Sequence, residues 1–115
     1  MMDEIITLDY GSGGKKTSRL IESMIVPSLS NPVLNELGDG AILPGWERLV
    51  FSTDSFVVDP IFFPGGDIGK LSVCGTVNDI AVCGGVPRFL SCAFIIEEGM
   101  KLSELERIVA SIGEY

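Results

Sequence analysis

The sequence of 115 residues has no histidine. That removes Ser–His and Cys–His nucleophile pairs and every His-ligated metal, and leaves carboxylates and lysines as the groups able to do chemistry. Basic residues are scarce: 8 Lys and Arg stand against 16 Asp and Glu, a formal charge of −8. Nucleic-acid backbones are held by basic patches, so this balance excludes the usual footprint of a nucleic-acid partner and leaves open a nucleotide carried with Mg²⁺. Cysteine is limited to Cys74, Cys83 and Cys92, with no CxxC pair to suggest zinc or a redox couple. The three thiols read as buried side chains in a reducing cytosol. Long apolar runs are missing too: Phe89 to Ile96 is too short to span a bilayer, and Met1-Met2-Asp3-Glu4 lacks the basic flank and apolar stretch of a signal peptide. The sequence therefore reads as soluble and cytoplasmic, with no membrane partner.

What is present fits a single domain over residues 1–115. Hydrophobic residues make up 46% of the chain and mean hydropathy is +0.40, which predicts apolar surface covered by another chain or domain. Residues Glu4 to Leu8 predict a first strand, and after the glycine cluster Gly11-Ser12-Gly13-Gly14 a helical pattern runs through Leu20, Ile21, Met24 and Ile25 until Pro27 ends or kinks it. Asp39-Gly40 predicts a turn into a short strand at Ala41-Ile42-Leu43. Arg48 to Val58 is the clearest strand, interrupted by the polar Ser52-Thr53-Asp54-Ser55. Asp67 predicts an N-cap for a helix to about Cys83 with Val73, Val77, Ile80 and Ala81 on one face. Arg88 to Ile96 predicts a buried strand, and Ser103 with Glu106 a capping box for a helix whose inner face is Leu105, Ile108, Val109 and Ile112. No repeat is visible. The pattern predicts an α+β fold, a mixed sheet with helices on one face.

Two groups of residues could carry chemistry. Gly11-Ser12-Gly13-Gly14-Lys15 lies between a predicted strand and helix, where glycines admit a phosphate to the backbone and Lys15 adds a positive charge. It matches neither a Walker A loop nor GxGxxG, and a flexible turn before a helix is the plainer account. The second group is Asp39, Asp54 and Asp79, each a carboxylate beside small or apolar neighbours. Convergence on Mg²⁺ and a polyphosphate would explain all three. Separately, Asp39 also reads as a turn residue, Asp54 as a satisfied strand-end group, and Asp79 as an exposed position near a helix end.

The run from Ser52-Thr53-Asp54-Ser55 through Asp59-Pro60, Phe62-Phe63-Pro64-Gly65-Gly66 and Ile68-Gly69-Lys70-Leu71 to Thr76-Val77-Asn78-Asp79 is specific in order and spacing. Together with Gly11-Ser12-Gly13-Gly14, Pro87-Arg88 and Glu97-Glu98-Gly99, it resembles the HypE family of hydrogenase maturation factors. That family belongs to a superfamily with aminoimidazole ribonucleotide synthetase, selenophosphate synthetase and thiamine monophosphate kinase. The resemblance implies the N-terminal domain of the aminoimidazole ribonucleotide synthetase-like fold, its sheet joined to that of a partner subunit in a homodimer. It implies ATP in a groove bordered by Gly11, Ser12, Gly13, Gly14 and Asn78, with Mg²⁺ held by Asp39, Asp54 and Asp79 and Lys15 near the reacting end. Tyr10 departs from the pattern, standing where many relatives have His, so no role transfers to it.

Members of that family dehydrate a cysteine-borne thiocarboxamide to a thiocyanate at the expense of ATP, supplying cyanide for NiFe hydrogenase. The resemblance implies the carbamoyltransferase HypF and the HypC–HypD complex as partners, and a second domain beyond Tyr115 bearing the carrier cysteine. Cys74, Cys83 and Cys92 do not match that carrier. Two other readings share these residues: a sibling enzyme such as thiamine monophosphate kinase, and a non-catalytic dimerisation or scaffold module. Selenophosphate synthesis fits less well, since the glycine loop holds no cysteine.

Overall fold

The computed structural model describes residues 4–115; Met1, Met2 and Asp3 lie outside the described residues. The core forms around the last helix, α4 (Leu102–Glu114). Leu102, Leu105, Ile108, Val109 and Ile112 recur at intervals of three or four and so share one face. All five are buried, Leu105 and Val109 completely or nearly so. The predicted capping box does not form: α4 opens at Leu102, with Lys101 in the cap position and no side-chain cap. Residues 4–6 instead pair with the segment that leads into α4. Ile6 N–H donates to Met100 C=O and Gly99 N–H to Ile6 C=O, both at 2.7 Å, and Leu102 N–H donates to Glu4 C=O at 2.8 Å. Glu4 C=O thus serves one of the orphan N–H groups of the first turn, and Lys101 C=O already accepts from Leu105 N–H at 3.2 Å, so Ser103 lies inside the helix rather than at its cap. The first strand survives only as this pairing, one bridge between Ile5 and Lys101, before the chain tightens into a 3-10 turn at Leu8–Gly11.

The first helical run does not stop at Pro27. It comprises α1 (Lys15–Leu20), a π-helical turn (Ile21–Ile25) and α2 (Val26–Leu29). Proline lacks an N–H and its ring crowds the carbonyl four residues back; the wider π turn just upstream takes up that mismatch. Met24 is buried against Ile6, Leu102, Leu105 and Val109, with Leu20, Ile25 and Leu29 packed on the same cluster.

A tight hairpin precedes the third helix. β1 (Phe62–Phe63) and β2 (Gly66–Asp67) pair antiparallel around Gly65, whose φ of +96° only glycine adopts readily. Asp67 then caps α3 (Ile68–Val82), as its sequence position predicts: one carboxylate oxygen accepts from Lys70 N–H at 2.9 Å. The other accepts from the Ser111 hydroxyl at 2.7 Å and so ties α3 to α4. The two helices touch closely, since a Cβ on Gly69 would stand 2.5 Å from the Ile108 carbonyl oxygen. Val73, Ile108 and Ile112 fill the crossing. Val77 and Ile80 are half-buried on the predicted face, whereas Ala81 is exposed.

The α+β class holds, but in place of the expected mixed sheet the only sheet among the described residues is this two-stranded antiparallel hairpin. Ala41 to Leu43, Arg48 to Val58 and Arg88 to Ile96 form no ladder. A strand needs a neighbouring strand for its N–H and C=O groups, and no described segment lies in register beside these. The predicted burial of Arg88 to Ile96 is likewise corrected. Phe94 and Ile96 are half-buried while Ile95 is fully exposed, and Phe56 and Val58 are half-buried around an exposed Val57. This is the period of two of an extended chain resting one face on the helices. Cys74, Cys83 and Cys92 are exposed rather than buried, because no described segment covers them. No described helix is long and apolar enough to cross a membrane.

Candidate functional site

The glycine loop is held by side chains on both of its flanks. Gly13 has φ +81°, a conformation that residues with a Cβ rarely adopt, and Gly14 enters α1 in extended conformation without a side-chain cap. The Thr17 hydroxyl accepts from Gly13 N–H at 3.0 Å and donates to Tyr10 C=O at 2.6 Å. The Ser12 hydroxyl donates to Asp9 C=O at 2.8 Å. Lys16 lies 3.0 Å from an Asp9 carboxylate oxygen and 5.1 Å from the centre of the Tyr10 ring, and the Thr7 hydroxyl donates to the other Asp9 oxygen. The Thr7 hydroxyl first, and Lys16 second, hold Asp9 below the ordinary carboxylate range; Asp9 in turn raises Lys16. Both groups are solvent-exposed, so the pair is screened and its contribution small.

Lys15 is exposed and makes no hydrogen bond or ion pair among the described residues, while its neighbour Lys16 is engaged by Asp9. Sequence reasoning missed Asp9, Lys16 and Thr17. The signal for Thr17 was present, since the third helical position is where a capping-box side chain reaches back. Beside the loop a cleft of about 390 Å³ opens, with Tyr10, Lys16 and Arg19 on its polar wall and Leu20, Met24 and Leu102 on its apolar wall. None of the three predicted metal-binding aspartates lines it.

Those aspartates sit on different elements. Asp39 is exposed in the bend between Gly38 and Gly40, Asp54 is exposed in the extended segment, and Asp79 with Asn78 is exposed on α3. Two contacts lay the Asp54 segment along α3. A Cβ on Gly75 would come within 2.8 Å of the Phe56 ring, and one on Gly85 within 3.1 Å of Val50. In sequence Asp54 lies between Val50 and Phe56, and Asp79 between Gly75 and Gly85, so both belong to the two segments that these contacts bring together; Asp39 sits apart in its bend. One Asp54 oxygen accepts from Ser55 N–H at 2.8 Å. None of the three is ion-paired among the described residues, and no group of three His, Cys, Asp or Glu among them is close enough to hold a metal. The donors are hard oxygens facing solvent. Mg²⁺ is commonly bound by one or two carboxylates with phosphate and water completing its shell, so this donor set fits a nucleotide-borne Mg²⁺ better than a cage built by the chain alone. Cys92, also exposed, is close enough to protein atoms for desolvation to push its thiol pKa up, which makes it a poor nucleophile.

The hairpin-to-α3 unit and the flanking extended segments define a known class. Residues 37–115 match the family described as AIR synthase related protein, N-terminal domain, and the chain belongs to that family. Within it, the chain is 49% identical to the carbamoyl dehydratase HypE of Escherichia coli K12, over 95% of this chain and 34% of that protein. It is 48% identical to the carbamoyl dehydratase HypE of Rhodobacter capsulatus, over 97% and 34%. A crystal structure of the hydrogenase maturation protein HypE in complex with ATP superposes with a TM-score of 0.90 at 55% identity, covering 93% of this chain and 32% of that one. The chain thus spans about a third of the length of the curated relatives it matches.

Proposed function

We propose that this chain is the N-terminal, ATP-handling part of a carbamoyl dehydratase that serves NiFe hydrogenase maturation in the cytoplasm. The observation that carries this is its close likeness to a HypE structure that was solved with ATP. In this reading residues 1–115 form an ATP-binding and dimerisation domain, and the carrier cysteine belongs to a second domain. The exposed apolar faces at Phe51, Val57 and Ile95 suit the sheet of a second copy. HypF would deliver the carbamoyl group and the HypC–HypD complex would receive the product.

The chemical problem is the oxygen of a thiocarboxamide, S–C(=O)–NH₂, a poor leaving group as oxide or hydroxide. Bound Mg²⁺–ATP would supply the γ-phosphoryl group with which that oxygen leaves as phosphate, both N–H protons being lost as S–C≡N forms. The chain's own tasks are positioning and charge placement. Asp39, Asp54 and Asp79 would hold Mg²⁺. Gly11, Ser12, Gly13, Gly14 and Asn78 would border the nucleotide, and the unengaged Lys15 ammonium would steady its phosphates. With no histidine in the chain, the proton acceptor is a carboxylate, a lysine or a group from outside these residues.

The test combines the chain with its carbamoyl-transferring partner, carbamoyl phosphate and Mg²⁺–ATP, and follows intact mass. The chain alone stays unmodified, and adding the second domain with its terminal cysteine restores carbamoylation followed by loss of water. Water loss localised to Cys74, Cys83 or Cys92 would overturn the assignment of the carrier.

A further inference from the structure

We propose that Thr17 is the positioning residue of the glycine loop: its single hydroxyl holds residues 10–14 in the shape that receives the phosphates of ATP. The inference rests on the reading of that loop as part of the nucleotide site.

A hydroxyl in the first turn of a helix ordinarily serves the helix, by bonding one of its orphan N–H groups or a carbonyl one turn back. Ser23 does the latter, donating to Arg19 C=O at 2.6 Å. Thr17 serves neither. Both of its partners precede α1: Gly13 N–H, from which it accepts, and Tyr10 C=O, to which it donates. One oxygen therefore spends its donor and an acceptor position on the two ends of the loop and closes it like a clasp.

The clasp acts where the backbone is least constrained by itself. Gly11, Gly13 and Gly14 surround Ser12, and a Cβ on Gly11 or Gly13 would meet nothing within 4 Å. No packing holds those glycines, and their own torsional freedom is the greatest of any residue. The other ties at the loop reach only back to Asp9: the Ser12 hydroxyl donates to Asp9 C=O from an exposed position, and the Lys16 to Asp9 pair is exposed on both sides and weakened by salt. Thr17 is half-buried, so its hydrogen bonds compete less with water. Because the Gly13 N–H is already taken, the clasp also leaves that amide unavailable to a phosphate.

The experiment measures Mg²⁺–ATP binding by calorimetry, thermal unfolding and amide exchange at Gly13 in the full chain and in Thr17→Val and Thr17→Ser. Thr17→Val keeps the shape and removes the hydroxyl. Losing the clasp weakens binding roughly tenfold, the size of one well-made hydrogen bond, and speeds Gly13 exchange, with the unfolding midpoint little changed. Thr17→Ser restores both. Equal binding by wild type and Thr17→Val overturns the proposal and leaves the nucleotide reading intact. No binding by any of the three proteins removes the nucleotide reading and the proposal together. Should Thr17→Val fail to fold, Thr17→Ser decides: it keeps the hydroxyl, and weak binding with fast Gly13 exchange in it overturns the proposal.

Discussion

The part of the chain gathered around α4 and the part running through residues 41–58 and 86–96 obey the same patterning rules with opposite outcomes. On α4 every predicted inward residue is buried, with Val109 fully so. In the extended segments Phe51 is 88% exposed and Ile95 fully exposed. A helix satisfies its own backbone, so an apolar stripe needs only a surface to pack on, and α1, α2 and α3 supply it. An extended segment needs a neighbour for its backbone and a cover for each face. The helices cover one face; among the described residues the other stays open.

The largest effect that sharpens this contrast comes from paired truncations. Leu105→Ala costs about 2–5 kcal/mol of unfolding free energy, the range for a buried leucine, measured by denaturant unfolding. Phe51→Ser changes the same quantity by no more than about 0.5 kcal/mol, as for an exposed site, yet shifts sedimentation toward the smaller species if a second copy covers that face. A comparable loss of stability in both variants would break the distinction between the regions.

Next in size is the helix crossing. Gly69→Ala forces a methyl against the Ile108 carbonyl oxygen, 2.5 Å from the added carbon, and the overpacking costs about 1–3 kcal/mol. Gly11→Ala, where an added Cβ meets nothing within 4 Å, leaves the melting temperature essentially unchanged. Equal melting temperatures for wild type and Gly69→Ala would mean that α3 and α4 are less tightly joined than their contact indicates.

The smallest effect lies at the Asp9–Lys16 pair. The Asp9 pKa is depressed in the fold, so its contribution is present above the ordinary carboxylate range and lost as pH falls through the depressed value. The Lys16 pKa is raised, so its contribution is present below the ordinary lysine range and lost as pH rises through the raised value. Asp9→Asn therefore flattens the acid side of a plot of melting temperature against pH, by less than either change above and only at low salt. A difference that persists in high salt would show that Asp9 acts through more than its charge.

The sequence by itself determined the features whose partners lie within a few residues. The α4 stripe, the Asp67 cap and the α3 helix were all legible, because periodicity and a side chain bonding three residues ahead are local matters. So was the position of the glycine loop ahead of a helix, and the order of its motifs carried the family resemblance. Tertiary structure alone decided what depends on distant partners. Ser103 is not a cap because α4 already begins at Leu102, whose N–H is held by the carbonyl of Glu4, far away in sequence. Arg88 to Ile96 is apolar enough for a buried strand, but burial requires a neighbour that sequence pattern does not name, and Cys92 is exposed with it. The segments that carry Asp54 and Asp79 came together because Phe56 and Val50 pack on Gly75 and Gly85. Thr17 clasps its loop because the chain turns back at Gly13, where a left-handed torsion brings amide and hydroxyl together.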